Sequence, residues 1–287
     1  LWIPERLFPL SPRPDFDPRS PLHWKSPQGK CDGARAELYG MLPQEMHETV
    51  ETLTKFPSMF RHTVNTERSS VLNSIKGVTG AIFAEFSIDP RVFIEISSKE
   101  KNENVVWLLH RKGEAVTAPG SEDAYHRVAP VLFKDPWHRV VSEFLQSQVL
   151  VKDKAKTRGC PKGQGQRLGA NSVTEGLITA AAVVARFLLS HDEEFVPVGE
   201  KTGIHYEDDF DHYLSLLFKG NNWAINVITF YNQAVFGESQ NEVDQSTPSL
   251  ADPTRTWEDE FLRELEEDPM SVSSHDASAK SQNTYCI

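Results

Sequence analysis

Apolar residues recur at helical spacing through the middle of the chain, and this pattern predicts most of its helices. A run over residues 176–189 is apolar on nearly every face and contains only Thr179 and Arg186 as polar residues, which indicates a buried helix too short to span a bilayer. The other positions that share an apolar stripe are Met46, Val50 and Leu53; Val71, Ile75, Val78 and Ile82, with Leu72, Phe83 and Phe86 beside them; and Phe210, Tyr213, Leu214 and Leu217. No alternation of strands and helices follows, so the sequence predicts a mainly α fold with at most a few short strands.

Several polar residues mark helix ends. Pro43 and the pair Asp135-Pro136 are typical first-turn residues, and the second predicts a helix that turns Trp137, Val141, Phe144 and Leu145 inward. Asn222 is the predicted cap of a helix over residues 223–236, which Gly237 ends. Strand candidates are residues 92–97 and 105–109, and the second could equally be helical.

The two ends of the chain differ from its middle. Residues 1–33 contain seven prolines (4, 9, 12, 14, 18, 21 and 27), and this spacing predicts a Pro-rich arm, extended, disordered or loosely docked. Residues 34–237 form the predicted helical globular domain. A linker over 238–254, an acidic amphipathic helix over 255–267 and a disordered tail over 268–287 complete the expected organisation.

Composition and charge narrow the class of protein. The formal net charge is −11, and residues 238–287 alone carry twelve acidic and three basic residues, so the rest of the chain is close to neutral. The three cysteines, at 31, 160 and 286, form no C-x-x-C pair, so we expect neither a cysteine metal site nor a disulfide framework, and a cytoplasmic or nuclear location is the default. No membrane association and no cofactor are predicted.

The glycines at 163, 165 and 169 precede a helix and resemble a phosphate-binding loop, but no strand leads into them. Ser172 and Glu175 fit a capping box, which would occupy the amides that a phosphate needs. We therefore interpret these glycines as an ordinary loop. A basic segment over residues 152–167 precedes and includes part of this loop. This segment is either a solvated surface loop or a site of anion or nucleic-acid contact. The residues that would make the contact are Lys152, Lys154, Lys156, Arg158, Lys162 and Arg167.

Other polar clusters do not complete a known catalytic pattern. His205 and His212 are seven residues apart, whereas a zinc-binding helix places two histidines four apart. Asp208 and Asp209 are expected near the start of a helix, where carboxylates are favourable. Ser190, His191 and Asp192 contain triad residue types, but neighbours in sequence cannot adopt triad geometry, and a polar turn after a helix is expected there.

The acidic helix over 255–267 has an apolar stripe that needs a surface to cover it. That surface is either the domain itself or a protein partner, and the third alternative is that no stable helix forms here. The candidate contact residues are Trp257, Phe261, Leu262 and Leu265.

Two segments resemble an uncharacterised helical domain found in basidiomycete (mushroom-forming) fungi, and the likeness covers about residues 37–236. The first lies over residues 173–192 and the second follows a G-x-x-(S/T)-G-I-x-Y-x-x-D-F-x-x-Y pattern over residues 199–213. The matching positions are Val173, Thr174, Gly176, Ile178, Ala182, Leu189, Ser190 and Asp192, and then Gly199, Thr202, Gly203, Ile204, Tyr206, Asp209, Phe210 and Tyr213. The resemblance implies an intracellular helical domain of unknown function, with no catalytic residues to carry over.

Taken together, the sequence favours a non-catalytic interaction or regulatory domain. The alternatives are an enzyme with a polar or metal site near residues 191–213, and a nucleic-acid-binding module that uses the basic segment 152–167.

Overall fold

The structure, a computed structural model, describes residues 2–10, 14–109, 125–151 and 172–237, together with residues 261, 263 and 265. Over these residues the α-helices are α1 (Pro27–Met41), α2 (His47–Thr52), α3 (Phe56–Lys76), α4 (Thr79–Ile82), α5 (Ile96–Lys101), α6 (Glu103–Leu109), α7 (Glu175–Leu189), α8 (Tyr206–Phe218) and α9 (Asn222–Phe236). Short 3₁₀ turns lie at Glu5–Leu7, Pro21–Trp24, Gln44–Met46, Ala84–Phe86, Pro90–Phe93, Pro130–Leu132 and Val141–Glu143. In the same ranges, β structure is limited to two isolated antiparallel bridges, Phe133 with Phe144 and Val198 with His205. The prediction of a mainly α fold is confirmed.

Helix α7 lies at the centre of the hydrophobic core. Every residue from Ala181 to Leu189 is buried, and the helix packs mainly against α8 and also against α6. Burying a leucine or phenylalanine side chain fully contributes about 1.5–3 kcal/mol, so a helix buried on all faces anchors the domain. The prediction of a buried helix here is confirmed.

The start of α7 differs from its prediction. Thr174, not Ser172, is the N-cap, and its hydroxyl accepts a hydrogen bond from the amide of Leu177 at 3.3 Å. The carboxylate of Glu175 forms an ion pair with Arg19 at 2.7 Å. The amide of Val173 donates to the side chain of Asn232 at 2.7 Å. The predicted capping box is therefore wrong, because the helix begins two residues later with Thr174 as its cap and Arg19 pairs with the Glu175 carboxylate.

The N-terminal stretch packs against the domain. Helix α1 begins at Pro27, inside the predicted arm, since proline is well tolerated in a first helical turn, and the Ser26 hydroxyl caps it. His23 is buried and its Nδ1 donates to the carbonyl of Pro18 at 2.7 Å. Trp2 lies against Phe195, with ring centroids 5.0 Å apart. The prolines thus interrupt secondary structure without preventing close packing.

Two local predictions are wrong. Residues 92–97 form no strand, because Asp89 caps a 3₁₀ turn at Pro90–Phe93 and α5 begins at Ile96. Asp135-Pro136 opens no helix, although the Asp135 carboxylate accepts hydrogen bonds from the next two amides as a cap would. The bridge between Phe133 and Phe144 brings the two ends of this segment together, which a helix would hold apart.

The remaining predicted helices have other boundaries. The one predicted from Pro43 is a 3₁₀ turn at Gln44–Met46 followed by α2, and of its predicted stripe only Val50 is buried, because Met46 and Leu53 are 44% and 43% exposed. The stripe predicted over residues 71–86 is divided between α3 and α4, with a break at Gly77. Helix α8 includes the predicted stripe, and α9 is capped by Asn221 rather than Asn222 and ends at Gly237, whose φ is 72°. Residues 105–109 lie in α6, so the helical alternative for them is confirmed.

Candidate functional site

The polar residues predicted near 191–213 form two buried clusters, and the first is centred on Asp192. Its carboxylate accepts hydrogen bonds from the amides of Lys201 (2.8 Å) and Thr202 (3.1 Å), and from the hydroxyls of Thr202 and Tyr206. Burial alone would raise the pKa of Asp192, but these hydrogen bonds outweigh it and hold the pKa below its ordinary value. The ionised carboxylate is therefore fully used in joining the end of α7 to the start of α8.

Ser190 and Lys99 extend this cluster. The Ser190 hydroxyl donates to the carbonyl of Phe187 at 2.9 Å and lies 2.9 Å from the hydroxyl of Tyr206, so both of these contacts are within the polar cluster. The ammonium of Lys99 is buried and donates to the Ser190 carbonyl at 3.1 Å. Burial, reinforced by the nearby charge of Lys76, lowers the pKa of Lys99 to about 8.

The second cluster is centred on Arg186, which is fully buried within α7. Its guanidinium pairs with Asp209 of α8 and donates to the carbonyl of His126 at 3.0 Å. Asp209 also receives the guanidinium of Arg127 at 3.0 Å. Burial disfavours the charged form of Arg186, but Asp209 raises its pKa and keeps it protonated. Asp209 is thus the partner of a buried cation and not merely an acid at a helix start.

The predicted metal region does not gather its ligands. Among the described residues, no group of three or more histidine, cysteine, aspartate or glutamate side chains is arranged to hold a metal ion. His205 lies 3.4 Å from Asp208, Asp211 pairs with Lys30, and Asp209 with Arg186. Each aspartate named here therefore has a different neighbour, and the side chains do not converge on one point.

The candidate partner residues of the acidic helix are described in part. Phe261 and Leu265 are buried in the domain core, where Phe261 lies edge-on to Phe133 and Phe144 with ring centroids 5.7 and 5.2 Å apart. The carbonyl of Leu265 accepts a hydrogen bond from Asn221 at 2.8 Å. Trp257 and Leu262 lie outside the described residues, as do the glycines at 163–169 and the basic candidates Lys152, Lys154, Lys156, Arg158, Lys162 and Arg167.

A loop over residues 134–143 presents an exposed tryptophan. The Phe133–Phe144 bridge and a hydrogen bond from the Lys134 amide to the Glu143 carbonyl close the loop at its base. Near its tip, the Asp135 carboxylate accepts from the amide of Trp137 at 2.9 Å and so orients this residue. The Trp137 side chain remains 57% exposed.

The ring of Trp137 completes a groove with helix α6. It stacks on Trp107, with centroids 5.1 Å and planes 28° apart, and lies 5.8 Å from the ring of Phe86. The groove encloses about 340 Å³, a volume at the lower end of ligand pockets. We call this the tryptophan groove, and its lining residues are Phe86, Glu103, Asn104, Trp107, Leu108 and Trp137.

Sequence reasoning missed the tryptophan groove and the Arg186–Asp209 pair, although each left a signal. The Asp-Pro pair before Trp137 is typical of a turn as well as of a helix start, and only the helix start was predicted there. Arg186 is the only charged residue in an otherwise apolar run, and such a residue requires a buried partner of opposite charge.

The described part of the chain thus defines a helical domain with a buried polar centre and an aromatic surface groove. Residues 129–236 match the model of a family of unknown function, DUF6698. No curated protein and no solved structure matches the chain. No helix among the described residues is long and apolar enough to cross a membrane.

The matched range includes the segment 199–213 that resembles the fungal domain. Asp192, Thr202 and Tyr206 belong to the first cluster, and Asp209 to the second. A side chain at Gly199 would place its Cβ 2.2 Å from the Asp192 carboxylate, so only glycine fits there. These residues act by holding α7 and α8 together.

Proposed function

We propose that the chain is a non-catalytic, intracellular protein-interaction domain that binds a partner through the tryptophan groove. The observation that carries this proposal is Trp137, which is 57% exposed although Asp135 binds its amide and its ring stacks on Trp107. Tryptophan is enriched among the residues that dominate binding energy at protein interfaces, because it buries a large area with few rotatable bonds. A fixed and exposed indole therefore loses little conformational entropy when a partner covers it.

The other polar groups bond to residues of the domain itself, which supports a non-catalytic function. Asp192 and Asp209 are held by hydrogen bonds and an ion pair, so the enzyme alternative near residues 191–213 gains no support from their geometry. The nucleic-acid alternative rests on the basic segment 152–167, outside the described residues, and stays a prediction. The proposal is consistent with a basidiomycete origin, which the resemblance suggests.

The acidic segment is proposed as a second, electrostatic contact. Phe261 and Leu265 are buried in the core and would have to leave it to touch a partner, so the proposed contact is made by the acidic residues of the segment. The partner role of Trp257 and Leu262 stays a prediction.

The test compares two positions of one loop. Proteins from an extract of the producing cells are crosslinked to the wild-type chain and to the variants Trp137→Ala and Val140→Ala. Val140 is 50% exposed but does not line the tryptophan groove, so it is the matched control. We expect a partner that Trp137→Ala loses and Val140→Ala retains, with unchanged circular dichroism. Equal capture by both variants would refute the proposed surface.

A further inference from the structure

We propose that the tryptophan groove binds the ammonium group of a lysine side chain in a basic segment of a partner protein. This inference rests on the proposed function and specifies the chemistry of the partner. Its basis is the joint presence of two indoles, a phenyl ring and a carboxylate around one small cavity.

The aromatic rings provide the first attraction. Tryptophan has the strongest quadrupole of the aromatic side chains, so a cation within about 6 Å of its face is attracted electrostatically. Trp107 and Trp137 lie with their rings stacked, and Phe86 stands beside Trp137 at 5.8 Å and tilted by 41°. All three rings line the groove, so a cation bound there lies beside aromatic side chains from three segments of the chain.

Glu103 provides the second attraction. It lies four residues before Trp107 on α6, so the carboxylate and the indole occupy the same face of the helix. Glu103 is exposed, and within the described ranges no lysine, arginine or histidine pairs with it. An ammonium group in the groove would pair with this carboxylate, whereas an apolar side chain would gain nothing from it. The lining therefore favours a cation over a leucine or proline side chain.

Long-range charge favours the same class of partner. Most of the net charge of −11 belongs to residues 238–287, and Phe261 of this stretch contacts Phe133 and Phe144 at the base of the loop that carries Trp137. Negative charge near a binding surface increases the rate of association with a basic partner. A lysine within a basic protein segment satisfies both the local and the long-range requirement.

The experiment uses the full chain and a short acetylated and amidated peptide, Gly-Ser-Lys-Ser-Gly, with tryptophan fluorescence as the readout. The control peptide carries Nε-acetyl-lysine, which keeps the length of the side chain and removes its charge. Because a cation–π contact with a carboxylate contributes a factor of about 3 to 30 in affinity, we expect the acetylated peptide to bind weaker by that factor. Equal binding of the two peptides would overturn the inference.

Variants of the protein locate the site. Glu103→Gln keeps the shape of the groove and removes its charge. We expect this variant to bind the lysine peptide about 3- to 10-fold more weakly and to bind the acetylated peptide with unchanged affinity. Glu45→Gln, at an exposed position outside the groove, is the charge control and should change neither. An unchanged affinity in Glu103→Gln would overturn the assignment of the carboxylate.

Choline and its neutral isostere 3,3-dimethyl-1-butanol separate a protein lysine from a free ammonium ligand. We expect choline to compete with the peptide and its isostere not to compete. Choline binding tenfold more tightly than the peptide would overturn the choice of a protein partner. If Trp137→Ala abolishes capture of a cellular partner while Glu103→Gln and acetylation have no effect, the proposed function stands and this inference fails.

Discussion

The indole of Trp137 stacks on the indole of Trp107, with ring centroids 5.1 Å apart, although one residue belongs to a loop and the other to helix α6. Neither residue type nor spacing in the sequence predicts this contact. It depends on the closure of loop 134–143 by the bridge between Phe133 and Phe144, and on the turn at Asp135.

Removing the turn at Asp135 should release Trp137 from Trp107. In Asp135→Ala, the amide of Trp137 loses its acceptor, and we expect loss of the coupled indole signal in circular dichroism and weaker binding of the lysine peptide. The Asp135→Asn variant retains an acceptor oxygen and should keep most of both signals. An unchanged signal in Asp135→Ala would show that the stack forms without the turn.

Breaking the buried pair should destabilise the domain strongly. Arg186→Met leaves Asp209 with only part of its compensating charge, and removal of one member of a buried pair costs about 3–5 kcal/mol. The double variant Arg186→Met/Asp209→Asn should recover part of that loss in urea unfolding. The exposed pair of Lys201 and Glu193 is the control, and Lys201→Met should leave the urea midpoint unchanged. A double variant no more stable than the single one would contradict this account.

Substitution by alanine should change the stability of the domain in opposite directions at two glycines. Gly199→Ala forces a Cβ into the Asp192 carboxylate and the Thr202 hydroxyl, so we expect a loss of about 1–3 kcal/mol. Gly176→Ala, in the first turn of α7 with no atom near the new methyl group, should gain about 0.5–1 kcal/mol. Thermal unfolding of both variants checks the sign. Equal effects would mean that Gly199 is not held against Asp192.

The buried ammonium of Lys99 should make stability depend on pH in the alkaline range. Its pKa is about 8 in the folded chain and 10.5 in the unfolded chain, so between these values the unfolded state binds more protons and stability rises with pH. The whole rise is at most about 3 kcal/mol. Burial raises the pKa values of Tyr206 and Tyr213 above 10.0, so these groups lower stability as pH rises above that value.

The difference between wild type and Lys99→Met isolates the lysine from these tyrosines. Unfolding in urea at pH 7, 8, 9 and 10 should show the wild type gaining stability relative to the variant as the pH rises. A constant difference over this range would contradict a lowered pKa of Lys99.

Truncating Phe261 tests whether the acidic segment contributes to the domain. Because its ring is buried against Phe133 and Phe144, Phe261→Ala should cost about 1.5–3 kcal/mol. Ile94→Ala, at a side chain that is 82% exposed, is the control and should change stability by less than about 0.5 kcal/mol. Deletion of residues 238–287 is the reference, because its loss of stability is the largest that detaching the segment can cause. A Phe261→Ala variant as stable as wild type would show that the segment is not held by this ring.

Much of the fold could be predicted because it depends on neighbours in sequence. The run over residues 176–189 is too apolar to be anything but a buried helix, and Gly237 ends α9 with a positive φ that glycine adopts without strain. The wrong predictions concern positions where a local pattern competes with other contacts of the same groups. Ser172 and Glu175 match the capping-box pattern, but Arg19 pairs with the Glu175 carboxylate and the helix is capped by Thr174 instead.

The sequence by itself determined the class of fold and the positions of α7, α8 and α9, since the period of apolar residues and the chemistry of helix ends act within a few residues. Only the tertiary structure decided which polar residues are joined inside the core and which aromatic residues meet on the surface. Arg186 and Asp209, like Trp107 and Trp137, come together because separate segments pack against one core. Such contacts depend on the path of the whole chain, which no local pattern encodes.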